Sequence, residues 1–148
     1  MLRRTFINKF SISLSIASLF PFNSFSKNTF NLNYAPHLGM FKNTVGDDPI
    51  DQINYMADLG FRAFEDNGMS SRSVNLQNKI SKTLENRGMK MGVFVAHKIY
   101  WDKPNLSSGD DDYRNEFLNF IKKSVEVAKR VNAKWMTVVP GHLDLRKD

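Results

Sequence analysis

The stretch Met56–Met69, MADLGFRAFEDNGM, decides the reading of this chain, because it compresses a helix end, a stop, a strand and a polar strand end into fourteen residues. Met56, Ala57 and Leu59 finish an apolar helical face, and Gly60 supplies the left-handed backbone that helices favour just past their end. Phe61 to Phe64 then reads as a short strand, and Glu65, Asp66 and Asn67 follow at its carboxyl end before Gly68 turns the chain away. Proteins that alternate strands and helices place their ligand-handling groups at that end, so Glu65 is a site candidate. A capping or loop-stabilising acid is the other reading of the same residue.

The pattern repeats on both sides of this unit. Thr29 to Tyr34 alternates apolar and polar residues, the period of a strand, and it is followed by a loop from Ala35 to Asp47 that carries His37. Asp48 followed by Pro49 is a helix start, an acceptor at the cap and then proline where its missing N–H costs nothing. Ser70, Ser71 and Ser73 offer caps for a second helix, with Leu76, Ile80 and Leu84 as its inner stripe and Gly88 as its stop. Met89 to Ala96 is a third strand ending on His97 and Lys98. The loop from Ile99 to Asp112 is long for such a connection and holds Tyr100 and Trp101, which either cover a pocket or pack over a helix end. Asp110, Asp111 and Asp112 open the strongest helix, whose inward face runs through Tyr113, Phe117, Phe120, Ile121, Ser124, Val125, Ala128 and Val131. Three acids at its start and Lys129-Arg130 at its end match the helix dipole; the twelve-residue calcium-loop pattern is missing, so capping explains the acids. Ala133 to Gly141 is a fourth strand, followed by His142.

Composition narrows the classes. The chain has 148 residues, 41% hydrophobic and 24% charged, enough for one domain with a core. It has no cysteine, which excludes disulfides, thiolate metal sites and a cysteine nucleophile. Residues 1–26 differ from the rest: they are basic, then apolar and serine-rich, and no acid occurs before Asp47. Arg3-Arg4-Thr5-Phe6-Ile7-Asn8-Lys9 resembles a twin-arginine export signal, and Ser24-Phe25-Ser26 provides the small residues that a signal peptidase reads. The apolar run from Ile12 to Phe22 is shorter than the roughly 20 residues of a spanning helix. A periplasmic, bacterial protein with no membrane span after cleavage is expected, the alternative being an uncleaved anchor. Without Arg3, Arg4 and Lys9 the formal charge falls from +6 to +3. The remaining basic residues are scattered at helical spacing, so no nucleic-acid stripe is visible.

Strands near Phe30, Phe61, Lys90 and Lys134, separated by helices, imply an α/β fold of four βα-type units with parallel strands. The segments NYAPHLGMF (33–41), DDPIDQINYMADLGFRAFEDNGM (47–69), MGVFVAHK (91–98) and VEVAKRVNAKWMTVVPGH (125–142) resemble the amino-terminal half of the xylose isomerase-like TIM-barrel superfamily of sugar isomerases and epimerases, in particular its hydroxypyruvate isomerase-like members. The resemblance implies that residues 27–148 form the first half of a (β/α)8 barrel, truncated after strand four. It implies a metal-dependent isomerase or epimerase acting on a small sugar or hydroxy-keto acid. Its manganese or magnesium would be held by ligands from strands five to eight, beyond residue 148, so neither metal ligands nor the acid/base pair fall in this chain. His37, Glu65, His97 and His142 are then substrate-side candidates, with Glu65 the one candidate for catalysis. Two other readings stand beside this one. An endonuclease IV-like phosphodiesterase would place His97 and His142 on zinc, and a non-catalytic half-barrel would need a second chain, with open strand edges favouring self-association.

The export reading is checked by replacing Arg3 and Arg4 with lysine, which should leave the precursor inside the cell. Unchanged export would show that the twin-arginine route is not used.

Overall fold

The sequence builds its helices where caps and apolar stripes coincide. The computed structural model describes residues 30–142, so the expected export signal over 1–26 and the segment after His142 lie outside the described residues. Helix α1 is a single turn, Lys42–Val45, inside what reads as a loop. Helix α2, Pro49–Asp58, starts on Asp48, whose Oδ1 accepts the Ile50 N–H at 2.7 Å. A 3-10 turn at Met69–Ser71 precedes α3, Val74–Arg87, capped by Ser73 and ended by Gly88 at φ 64°. Helix α4, Asp111–Val131, is capped by Asp110 and ended by Asn132 at φ 53°, where asparagine tolerates the left-handed backbone. Among the described residues no helix is long and apolar enough to cross a membrane.

Helix α3 packs between α2 and α4. Ile53, Met56 and Ala57 of α2, Ile80 and Leu84 of α3, and Val127 and Val131 of α4 close over Phe64, Met69, Met91 and Phe94 to make the core. The helices therefore bury one face of the extended segments.

The four-unit barrel half expected from the sequence is not what forms. Among the described residues there are four α-helices and one two-stranded parallel sheet, β1 Ala63–Phe64 and β2 Lys90–Met91, in the register Ala63 to Lys90 and Phe64 to Met91. Elsewhere the extended segments touch only through single parallel bridges, His37 with Glu65, Val95 with Thr137 and Pro104 with His142.

Two physical causes shorten the strands. Parallel ladders are stable when both faces are covered, and here the second face is open: Leu32 is 63% exposed and Trp135 73%. The outer apolar residues of the segments that read as strands one and four therefore have no core to point into. The backbone groups of the third segment are also claimed individually. The Val95 carbonyl accepts from the Ser70 hydroxyl at 3.0 Å and the Ala96 carbonyl from the buried Ser124 hydroxyl at 2.6 Å, so each is satisfied without a ladder partner. Gly92 marks the last close approach, since a Cβ there would stand 3.1 Å from the Phe64 carbonyl oxygen.

Ile80 is fully buried between the helices, so Ile80→Ala should cost about 2–5 kcal/mol in urea denaturation. Lys79→Ala, on the exposed face one residue away, should stay within about 0.5 kcal/mol of the parent.

Candidate functional site

The described chemistry-bearing residues collect where the extended segments end. Glu65 follows β1, and its backbone is fixed on both sides, its N–H donating to the Pro36 carbonyl at 3.0 Å and its carbonyl accepting from Leu38 N–H at 2.9 Å. Its side chain is half-buried and makes no hydrogen bond or ion pair among the described residues. A carboxylate on a rigid backbone with uncommitted oxygens is suited to accept hydroxyl hydrogens from a ligand.

His37 is the bridge partner of Glu65, but its ring is already occupied. Nδ1 lies 2.6 Å from the Leu38 carbonyl and Nε2 accepts the Asn67 N–H at 3.2 Å. A carbonyl can only accept and an amide N–H can only donate, so these partners assign the proton to Nδ1. His97 repeats the arrangement one segment later: Nδ1 lies 2.8 Å from the Lys98 carbonyl, Nε2 accepts the Val139 N–H at 3.0 Å, and the buried ring packs edge-on against Phe117 of α4 at 5.0 Å. Each histidine thus latches the end of its own segment to the backbone of the next, His37 to the Asn67 turn and His97 to the strand-four region. Such rings have no free nitrogen for a metal or a substrate proton.

His142 is held elsewhere. Its N–H donates to the Tyr100 carbonyl at 3.1 Å, its carbonyl accepts from the Ser107 hydroxyl at 3.3 Å, and it bridges Pro104. The structure therefore brings His37 and Glu65 together and joins His97 to the segment that leads to His142; among the described residues no hydrogen bond links His37 or Glu65 to His97 or His142. The long loop before α4 packs onto that helix: Tyr100 donates to Glu116 at 2.9 Å, its ring meets Tyr113 at 5.6 Å, and Lys103 lies 5.0 and 5.3 Å from the two ring centres. Hydrogen bonding to Tyr113 raises the Lys103 ammonium above the usual lysine range. Trp101 stays 71% exposed.

Sequence reasoning passed over the residues that shape this edge. Asp66 is buried, its carboxylate taking Arg72 through two nitrogens and the Gly68 N–H at 3.0 Å. Its signal was an acid next to the candidate and an arginine six residues on, which spacing alone does not connect. Among the described residues no three His, Asp or Glu side chains cluster, and the bonds to both latch histidines use their lone pairs. The sequence matches no family model, and no curated protein matches it significantly.

Replacing His97 by phenylalanine keeps a ring against Phe117 but orphans the Val139 N–H, and should cost about 1–3 kcal/mol in chemical denaturation. Glu65→Gln should leave stability within about 0.5 kcal/mol, because no described residue bonds its carboxylate. A large loss in Glu65→Gln would assign the residue to loop stabilisation.

Proposed function

We propose that this chain is a sugar isomerase-type protein that receives a small hydroxy-carbonyl compound at the Glu65 edge. The observation that carries the proposal is the contrast at that edge: His37 and His97 have both ring nitrogens engaged, while the Glu65 carboxylate, on a backbone fixed from both sides, is uncommitted among the described residues. The resemblance of the segments around Glu65, His97 and Trp135 to sugar isomerases and epimerases supports the choice of substrate class.

A carboxylate accepts two hydroxyl hydrogens and donates none when ionised, which fits the neighbouring hydroxyls of a sugar. No cation pairs with Glu65 among the described residues. A hydroxy-keto acid brings its own negative charge, so the neutral ketose is the better fit of the two classes considered. The exposed Asn67 stands two residues beyond, with an amide able to donate to a carbonyl.

Proton transfer between adjacent carbons needs a base within hydrogen-bond reach and a group that stabilises the enediolate. Glu65 is the one candidate for the base among the four residues considered. No step is assigned to a metal, whose ligands the resemblance does not place on any of these four residues. The phosphodiesterase reading is weaker, since placing His97 on zinc would break its bond to Val139 or to Lys98.

Amide chemical shifts report this binding directly. Titrating the chain with a neutral ketose should move the signals of Glu65 and Asn67, and Glu65→Gln should weaken the apparent affinity about ten-fold, the loss expected for a charge-assisted hydrogen bond of about 1.5 kcal/mol. Shifts confined to other regions, or an affinity indifferent to Glu65, would overturn the reading.

A further inference from the structure

A cavity of about 860 Å³ lies beside the carboxyl-terminal ends of α3 and α4, where β1 and β2 begin, and Glu65 is not among its walls. Its volume is in the range of small-molecule sites. Leu84, Met89, Met91 and Val131 give it an apolar floor continuous with the core, and Trp135 stands in its wall with most of its indole exposed. Lys90, Lys129, Arg130 and Lys134 line it against a single acid, Glu85.

Most of those charges are already answered. Lys129 pairs with Glu126 at 2.8 Å and Glu85 with Lys82 at 2.9 Å, hydrogen bonds that hold both carboxyls below the usual carboxylate range. Arg130 donates to the neutral Gln77 side chain. Lys90 and Lys134 make no ion pair among the described residues, so they are the cations left for a ligand. The carbonyl ends of α3 and α4 would oppose an anion, but the Gly88 N–H bonds Glu85 and Leu84 carbonyls and the Asn132 N–H bonds those of Ala128 and Lys129.

We propose that this cavity binds a planar aromatic monoanion, its ring against Trp135 and the methionine-rich floor and its carboxylate or sulfonate at Lys90 and Lys134. The two halves of the wall select this class together. A bare inorganic anion would leave the apolar floor wet, and a neutral aromatic would gain nothing from the two exposed ammonium groups at its rim. The flexible thioethers of Met89 and Met91 favour contact with an aromatic ring. The site is separate from the Glu65 edge and does not depend on the proposed isomerase role.

Anilinonaphthalene sulfonate is a suitable probe, since its fluorescence rises on entering an apolar site. The full chain should bind it at one site, and the Lys90→Glu, Lys134→Glu double variant should raise Kd by at least about ten-fold, while Trp135→Ala raises it several-fold and Glu65→Gln leaves it unchanged. Near-UV circular dichroism checks that each variant keeps its packing. If the double variant loses its fold, salt decides on the parent chain: Kd should rise about ten-fold on going from low salt to 0.5 M, because exposed charges are screened. A folded double variant with unchanged Kd, or an affinity of the parent indifferent to salt, would overturn the proposal.

Discussion

The buried carboxylate of Asp66 is the constraint on which the rest of the structure depends. A carboxylate out of water must be paired and hydrogen-bonded, and Asp66 meets both demands by taking the Arg72 guanidinium and the Gly68 N–H. That arrangement bends the chain sharply after β1 and sets the position at which α3 begins. Gln77, itself buried, then ties the bend to the helix layer, donating to the Met69 carbonyl at 3.0 Å and the Arg72 carbonyl at 2.9 Å while accepting from Arg130 of α4. One polar path therefore connects the end of β1, the 3-10 turn, α3 and α4. Gln52 performs the same service for the loop before α2, accepting the Gly39 N–H at 2.7 Å and donating to the Gly46 carbonyl at 2.9 Å.

The same satisfaction of backbone groups by side chains explains why the sheet is small. A ladder extends when each carbonyl finds the next strand's amide, and here serines and histidines intercept several of those groups first. Ser70 and Ser124 take the Val95 and Ala96 carbonyls, and the rings of His37 and His97 take the Asn67 and Val139 amides. The extended segments are held side by side, but by individual bonds. Functional consequences follow from the same choice. Histidines that serve as latches cannot also serve as ligands, and Glu65 is left as the candidate side chain at that edge with both its backbone fixed and its oxygens uncommitted.

Charge is arranged differently at the two ends of the short sheet. Where β1 leaves, the neighbouring cation, Arg72, is paired with Asp66 and the Glu65 carboxylate is left unpaired among the described residues; where β1 and β2 begin, the helix ends bring lysine and arginine next to exposed indole and buried methionine. Lysine and arginine in the last turn of α4 are expected from the helix dipole alone, whereas Lys90 and Lys134 lie outside the helices and owe nothing to it.

The helices were legible because capping and periodicity are local. Asp48-Pro49, Ser73 and Asp110 start helices, Gly60, Gly88 and Asn132 end them, and the stripes through Ile53, Ile80 and Val131 do face the core, except that on α4 Val125 is exposed and Val127 is buried in the core. The position of Glu65 at a strand end was legible for the same reason. The strands were not, since the alternation of Phe30, Leu32 and Tyr34, or the apolar run through Trp135, Met136 and Val138, describes a segment that could line a sheet but not whether anything covers the other face. Gln52 and Gln77 fall on the inner stripes of their helices, four residues before Met56 and three before Ile80, yet nothing local says which distant carbonyls they answer. The sequence by itself determined the helices, their caps and the loops that carry Glu65 and the histidines, because those depend on neighbours within a turn or two. Only folding settled the length of the sheet and the latching of His37 and His97, because each depends on hydrogen-bond partners from segments far apart in the chain; the partners of Asp66 lie within six residues, and its burial comes from the core packed around that short turn.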